Sequence, residues 1–263
     1  MSERPPRPLR KRFGQHFLTD DGIIDAIVDL VAAGPKDHVL EIGPGNGVLT
    51  APLLASRCHL EAIEIDRDLA AWLTTRFAGA ERFALHNLDV LKFDFGALAS
   101  APGGWKVVGN LPYNISTPLL MRLLEHAGYF RELTLMVQRE VAERLAAAPG
   151  TAAYGRLGVM AQRRARIAMR LMVPPTSFEP PPKVESAVIQ LYPLPGPYDA
   201  AFEHDFAEVV RLAFGARRKT LANALKRRLA APALETLGID PGSRAEMLSV
   251  DDFVRLTTAW RSR

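Results

Sequence analysis

The chain predicts an α/β fold, a mostly parallel sheet with helices on both faces and a hairpin on its edge, followed by a small all-α domain. The first observation behind this is alternation. Apolar strand-like runs at 38–43, 60–65, 82–87, 106–110 and 133–138 are interleaved with helical patterns at 47–56, 67–78, 117–127 and 139–148. These helical stretches are long enough for the crossovers that parallel pairs require. The second observation is the run Tyr192-Pro-Leu-Pro-Gly-Pro-Tyr198, whose prolines and glycine can continue neither strand nor helix. The third is that every apolar pattern beyond that run has the helical period.

Taken in order, a first helix opens near Thr19 and Asp20, carries Ile23, Ile27, Leu30 and Val31 on one stripe, and stops at Gly34. The five strands and their helices follow. A helix near 154–164 precedes two further strands, 167–173 and 184–191, which flank a proline-rich loop as the edge hairpin. The domain boundary falls in the Pro/Gly run, giving one domain over 1–193 and a helical one over 198–263. Phe206, Val209, Val210 and Ala213, then Leu221, Leu225 and Leu229, then Phe253, Leu256 and Trp260 mark the helices of the second.

With 263 residues, 48% of them hydrophobic, the chain can bury a sizeable core, which argues against disorder and against a disulfide or zinc-stapled miniprotein. Its single cysteine, Cys58, excludes an internal disulfide and any Cys-rich metal site, and the six histidines include no i, i+4 pair. No metal is expected. No stretch approaches the roughly 20 apolar residues of a membrane span, so a cytoplasmic protein with no membrane contact is expected. The net charge of +4 is clumped into Arg4–Arg12, Arg156–Arg170 and Arg211–Arg228, and clumped cations favour a polyanionic partner such as nucleic acid.

The first strand runs into Gly43-Pro-Gly45-Asn-Gly47, a strand–glycine loop–helix unit that lets a ligand approach the backbone. Its GxGxG spacing is one residue shorter than the dinucleotide fingerprint, and an ordinary tight turn shares it. The next strands end in Glu64-Ile-Asp66, Asn87-Leu-Asp89 and Asn110-Leu-Pro-Tyr113. Singly, Glu64 or Asp66 reads as a helix cap, Asp89 as a turn former and Asn110 as an Asx turn. Jointly they deliver glycines, two acids and an amide to the carboxyl edge of a sheet, where ligands of open α/β folds bind. Glu64 suits ribose hydroxyls and Asp89 suits an adenine amine.

An exocyclic adenine amine is a poor nucleophile because its lone pair is delocalised into the ring. Acceptors at the Asn110 side chain and the Leu111 carbonyl, the latter held by Pro112 with its fixed φ, would favour the pyramidal nitrogen of the transition state. Tyr113 would stack on the base. The proline-rich hairpin loop is expected to present Phe178 as a second aromatic, the competing expectation being a Phe178 packed in the core.

These residues resemble the KsgA/RsmA-type small-subunit rRNA dimethyladenosine transferases, relatives of the Erm and Dim1 methyltransferases. The resemblance spans nearly the whole chain. It rests on Lys11-Arg-Phe-Gly-Gln-His-Phe-Leu18, Glu41-Ile-Gly-Pro-Gly45-Asn-Gly47, Glu64-Ile-Asp66, Asn110-Leu-Pro-Tyr-Asn-Ile-Ser116, Phe178-Glu-Pro-Pro-Pro-Lys-Val-Glu-Ser-Ala187, and Phe214-Gly-Ala-Arg-Arg-Lys-Thr-Leu221 with Asn223. It implies a Rossmann-like class I methyltransferase sheet and S-adenosyl-L-methionine as methyl donor, with donor contacts at His16, Leu18, Gly43, Gly45, Glu64, Asp89 and Asn110. Many members carry asparagine at the position of His16, which favours a backbone contact there.

The resemblance further implies target-base contacts at Asn110, Leu111, Tyr113 and Phe178, with Pro112 completing the catalytic tetrapeptide, and two adjacent adenosines of a 3′-terminal rRNA hairpin as substrate, each taking two methyls in an assembling small subunit. A monomer is expected. The helical domain would dock rRNA through Arg217, Arg218, Lys219, Lys226, Arg227 and Arg228. An Erm-like enzyme acting on large-subunit RNA usually has isoleucine in place of Leu111. A dinucleotide-dependent oxidoreductase would leave Asn110–Tyr113 and the basic clumps unexplained, and a non-catalytic RNA-binding factor would not need Asn110 and Tyr113.

Overall fold

The computed structural model describes residues 16–98, 101, 103–196, 199–215, 219–226 and 228–262. A two-residue strand β1 (Phe17–Leu18) leads into α1 (Asp21–Val31), which Asp20 caps by accepting from the Ile23 N–H at 3.2 Å. The helix buries Ile24, Ile27 and Val31, so the apolar stripe lies slightly off the expected one, with Ile23 and Leu30 half-buried at its margins. It ends at Ala32 in the left-handed region, two residues before Gly34. The last carbonyls there are taken by a buried cation. Lys106 Nζ donates to Val31 O at 2.6 Å and Ala32 O at 2.8 Å, with Asp37 and Glu132 carboxylates within 3.5 Å.

The main sheet then builds outward in two directions. β2 (His38–Ile42), α2 (Thr50–Ala55), β3 (His59–Ile63), α3 (Arg67–Arg76) and β4 (Phe83–His86) extend it to one side. β5 (Trp105–Asn110), α4 (Ser116–Glu125) and β6 (Phe130–Gln138) extend it to the other. The order β4-β3-β2-β5-β6-β9-β7 is parallel from β4 to β6. The direction of winding therefore reverses between β2 and β5, the switch point at which open α/β sheets hold ligands. The contact there is close, since a Cβ on Gly109 would lie 2.6 Å from the Ile42 carbonyl oxygen.

After α5 (Arg139–Ala146) and α6 (Arg156–Gln162) come β7 (Ala165–Val173), β8 (Phe178–Glu179) and β9 (Ser186–Pro193). The expected edge hairpin is realised with β9 inserted antiparallel to β6 and β7 outside it. A second sheet, β1 paired antiparallel with β8 (Phe17↔Glu179, Leu18↔Phe178), has no counterpart in the sequence reading.

The remaining helices are α7 (Ala200–Phe214), α8 (Leu221–Leu225), α9 (Ala231–Thr236) and α10 (Val250–Arg261). The chain forms two compact units, but their division differs from the expected cut at 193/198. The second unit comprises Glu143–Ala165 as well as the chain from Leu194 onward. The reason is packing, because Tyr154 and Val159 lie in one core with Phe206, Val209, Phe253, Leu256 and Trp260, and the Tyr154 hydroxyl donates to Leu248 O at 2.9 Å. Arg163 and Arg164 of the second basic clump converge on Glu203, at 2.8 and 3.5 Å, so these cations answer an internal acid. No helix among the described residues is long and apolar enough to cross a membrane.

Candidate active site

A cleft opens at the carboxyl ends of β2 to β5. It is lined by His16, Leu18, Gly43, Gly45, Glu64, Asp89, Asn110, Leu111, Pro112 and Tyr113, ten of the sequence-predicted site residues, together with Phe17, Glu41 and Ile65. Each position has a local cause. Gly45 adopts φ +57, and a Cβ there would meet the Phe17 ring at 2.9 Å, so only a glycine lets β1 lie over the loop.

Glu64 is 4% exposed and accepts from the Gly45 N–H at 3.2 Å and the Asp66 N–H at 2.9 Å. Burial pushes its carboxyl above the usual carboxylate range, while the two backbone donors pull the other way. A carboxylate offers about four acceptor sites, so two remain for a pair of hydroxyls. Asn87 steadies this corner by donating its amide to Glu64 O at 2.8 Å. Asp66 serves as the N-cap of α3, accepting from the Asp68 N–H at 2.9 Å. Asp89 likewise uses one oxygen, at 3.0 Å from Leu91 N, to cap a 3-10 turn over Val90–Lys92, which leaves the second for a ligand. Between the acids Ile65 is 46% exposed, an apolar platform beside polar groups. Its signal in the sequence was an isoleucine between two acids at a strand end.

The Asn110 amide nitrogen donates to the His16 carbonyl at 3.0 Å. That bond orients the amide and leaves the oxygen as acceptor. The Leu111 N–H closes the β5–β6 ladder on Met136 O at 3.0 Å. The Tyr113 ring stacks on His16, centroids 5.8 Å apart and planes 26° from parallel, and its hydroxyl lies 2.6 Å from Ser186 Oγ. Burial raises the phenol's pKa, so it stays neutral. His16 Nδ1 is 2.7 Å from Pro180 O, which holds the imidazole beside the Tyr113 ring.

Phe178 corrects the sequence reading. It is 4% exposed, does not line the cleft, and packs with Leu18, Ile24, Ile27, Val173 and Val188. The prolines do stiffen its loop, but β8 pairs with β1 and the strand's two-residue period turns Phe178 inward and Glu179 outward.

Glu41 was missed as a candidate because it sat inside an apolar strand run. It is fully buried, lines the cleft, accepts from Thr50 Oγ1 at 2.7 Å, and is pushed up to about 7 by burial, with the Glu64 charge adding to the effect. Among the described residues the cleft lining includes Glu41, Glu64 and Asp89 and no lysine or arginine. That electrostatic character suits a cationic ligand and disfavours a pyrophosphate. Among the described residues no three His, Cys, Asp or Glu side chains gather as a metal would need.

Of the expected RNA contacts, Lys219, Lys226 and Arg228 are exposed on the second unit, with the Arg228 guanidinium 4.9 Å from the Trp260 ring centre. Arg217, Arg218, Arg227 and the Arg4–Arg12 arm lie outside the described residues.

Comparison with known proteins agrees with this geometry. The sequence profile of the ribosomal RNA adenine dimethylases matches residues 7–261. The ribosomal RNA small subunit methyltransferase A of Pseudomonas fluorescens is 49% identical over 260 residues, covering 97% of this chain and 95% of that protein. Among solved structures, a dimethyladenosine transferase from Plasmodium falciparum superposes with a TM-score of 0.79 at 28% identity, covering 92% of this chain and 96% of that one. The 23S rRNA methyltransferase ErmE superposes with a TM-score of 0.74 at 26% identity, covering 93% and 99%.

Two measurements test the site's physical description. Phe178→Ala should cost about 3–5 kcal/mol of stability as a buried-ring deletion, and an unchanged melting temperature would return Phe178 to the cleft. Glu41 has a folded value of about 7 against an ordinary 4.5, so the folded protein loses stability as pH rises through that window and the carboxylate must ionise in burial. Glu41→Gln removes this dependence. Relative to the parent it should gain on the order of 2–3 kcal/mol between pH 4 and pH 8, read by urea unfolding at both, and parallel pH profiles would refute the assignment.

Proposed function

Because the chain belongs to the ribosomal RNA adenine dimethylase family, we propose that it transfers methyl groups from S-adenosyl-L-methionine to N6 of two adjacent adenosines in the 3′-terminal hairpin of small-subunit rRNA, during late subunit assembly. It is an rRNA adenine dimethyltransferase. On this reading it works in the cytoplasm as a monomer, with the assembling subunit as its partner.

The observation that carries the chemistry is the Asn110 amide. With its nitrogen committed to His16 O, its oxygen can accept from an adenine N6 hydrogen and favour the pyramidal amine. The Leu111 carbonyl is the second acceptor, and Tyr113 takes the base on its free face. A base must leave its stack to reach such a cleft.

The residues fit the donor on its own terms. Glu64 has acceptor sites left for two ribose hydroxyls, Asp89 has a free oxygen for an adenine amine, Ile65 offers apolar surface, and the acid-lined cleft suits a cation. The bound donor supplies a methyl already activated on a sulfonium centre, so the protein's task is alignment and amine activation.

Two alternatives fare worse. A dinucleotide oxidoreductase would press a pyrophosphate against Glu41 and Glu64. Action on large-subunit RNA is carried by a relative of 26% identity, whereas the relative named for the small subunit stands at 49%. The RNA contact is assigned to the cations of the second unit, Lys219, Lys226 and Arg228 with Arg217, Arg218 and Arg227.

Labelled-methyl transfer to separated subunits from unmethylated ribosomes tests the substrate, with label expected in the small subunit and label confined to the large one overturning the reading. In the same assay Asn110→Ala should lose on the order of 100-fold in turnover or more while keeping its fold, and near-normal turnover would refute the amide's role. For docking, Lys219→Gln with Lys226→Gln should flatten the salt slope of log affinity for small subunits by up to about 2 units, as each neutralised phosphate contributes roughly 0.7–0.9. A wild-type slope would show those cations to be merely solvated.

A further inference from the structure

Ser186 opens β9 and is wholly buried, yet its hydroxyl lies 2.6 Å from the phenol of a cleft residue, Tyr113. Its place is set by the sheet. It pairs with Gln138 in the β6–β9 ladder, which continues one step beyond the strands through the Arg139 N–H on Glu185 O at 3.0 Å and the Arg139–Glu185 ion pair at 2.7 Å. Tyr113, by contrast, sits in the turn between β5 and α4 and is held less directly. Ser116 Oγ donates to its carbonyl at 3.2 Å, and His16 covers one ring face. Those contacts restrain the backbone and one face but not the far end of the ring, where a small rotation moves the stacking plane most. The Ser186 hydroxyl acts at that end.

We propose that Ser186 is a positioning residue for the target base, fixing the plane of Tyr113 through the phenol so that the adenine amine lines up with Asn110. This rests on the reading that Tyr113 stacks on the adenine. It assigns to Ser186 an effect on turnover and none on donor binding, because Ser186 does not line the cleft.

The test uses Ser186→Ala, Tyr113→Phe, their combination, Ser186→Thr and Tyr113→Ala in the full chain. Turnover and KM are measured with unmethylated small subunits, alongside S-adenosyl-L-methionine affinity and melting temperature. Ser186→Ala and Tyr113→Phe should each lower kcat about tenfold, as misplacement of a reacting group does, with donor affinity unchanged. The double variant should lose no more than either single one, since both break one bond, and Ser186→Thr, which keeps the hydroxyl, should restore the rate. Should Ser186→Ala fail to fold, Tyr113→Phe breaks the same bond from the cleft side and decides alone. Unchanged kcat in folded Ser186→Ala and Tyr113→Phe, or losses that add in the double variant, would overturn the proposal while a slow Tyr113→Ala keeps the stacking reading intact. A full-rate Tyr113→Ala would overturn both.

Discussion

The in-register pairing of β3, β2 and β5 is the constraint on which the cleft depends. Ile42 lies opposite Ile63 and Ile63 opposite His86, while Glu41 lies opposite Val108 on the other side. The ladder continues past the strand ends, with Gly43 N–H on Ile63 O at 2.9 Å and Glu64 N–H on His86 O at 3.0 Å. Gly43, Glu64 and Asn110 therefore begin their loops at one level. A slip of one residue in any pair would turn a strand's side chains to the opposite face, burying Glu64 away from the glycine loop whose N–H it accepts. The geometry of the site is thus a by-product of backbone pairing, and its side chains add chemistry to positions already determined.

What the sheet leaves open, the segment around β1 closes. Residues distant in sequence by more than 150 positions are joined there: Thr19 N–H reaches Ser177 O at 2.9 Å, Ser177 Oγ reaches Asp20 at 2.8 Å, and His16 reaches Pro180 O at 2.7 Å. The Ser177 hydroxyl holds the Asp20 carboxyl below the usual carboxylate range, so one side chain caps α1 and tethers the proline-rich loop. Through the His16 carbonyl this wall also orients Asn110. One wall of the cleft and the direction of its central amide are consequently fixed by the same short stretch of chain.

This division explains what could be read from the sequence. Alternating apolar runs and glycines report backbone pairing, and the parallel strands, the switch-point cleft and eight of its residues follow from them, whereas His16 and Leu18 came only from the family resemblance. β1 and β8 were invisible because two residues show no period, and without that pairing Phe178 read as a presented ring rather than a core one. Glu41 was hidden for the opposite reason, a carboxylate inside an apolar strand that only burial and its Thr50 partner distinguish from an ordinary solvated acid. The segment from Glu143 to Ala165 could not be assigned to its unit from composition, since its apolar face finds its partners some 40 to 100 residues later in Phe206 and Phe253.

The charge pattern places a physical demand on the substrate. A cleft whose described lining holds the acids Glu41, Glu64 and Asp89 and neither lysine nor arginine offers a phosphate no cationic partner, while Lys219, Lys226 and Arg228 stand exposed on the other unit. On the proposed reading an RNA backbone is held by the cations of the second unit, and only an uncharged part of the RNA suits the cleft. On the proposed reading that part is a flipped base, taken by Asn110 and Tyr113 through hydrogen bonding and stacking, two interactions that need no charge. On that reading the acids that suit a cationic donor also favour an uncharged base over a phosphate beside it.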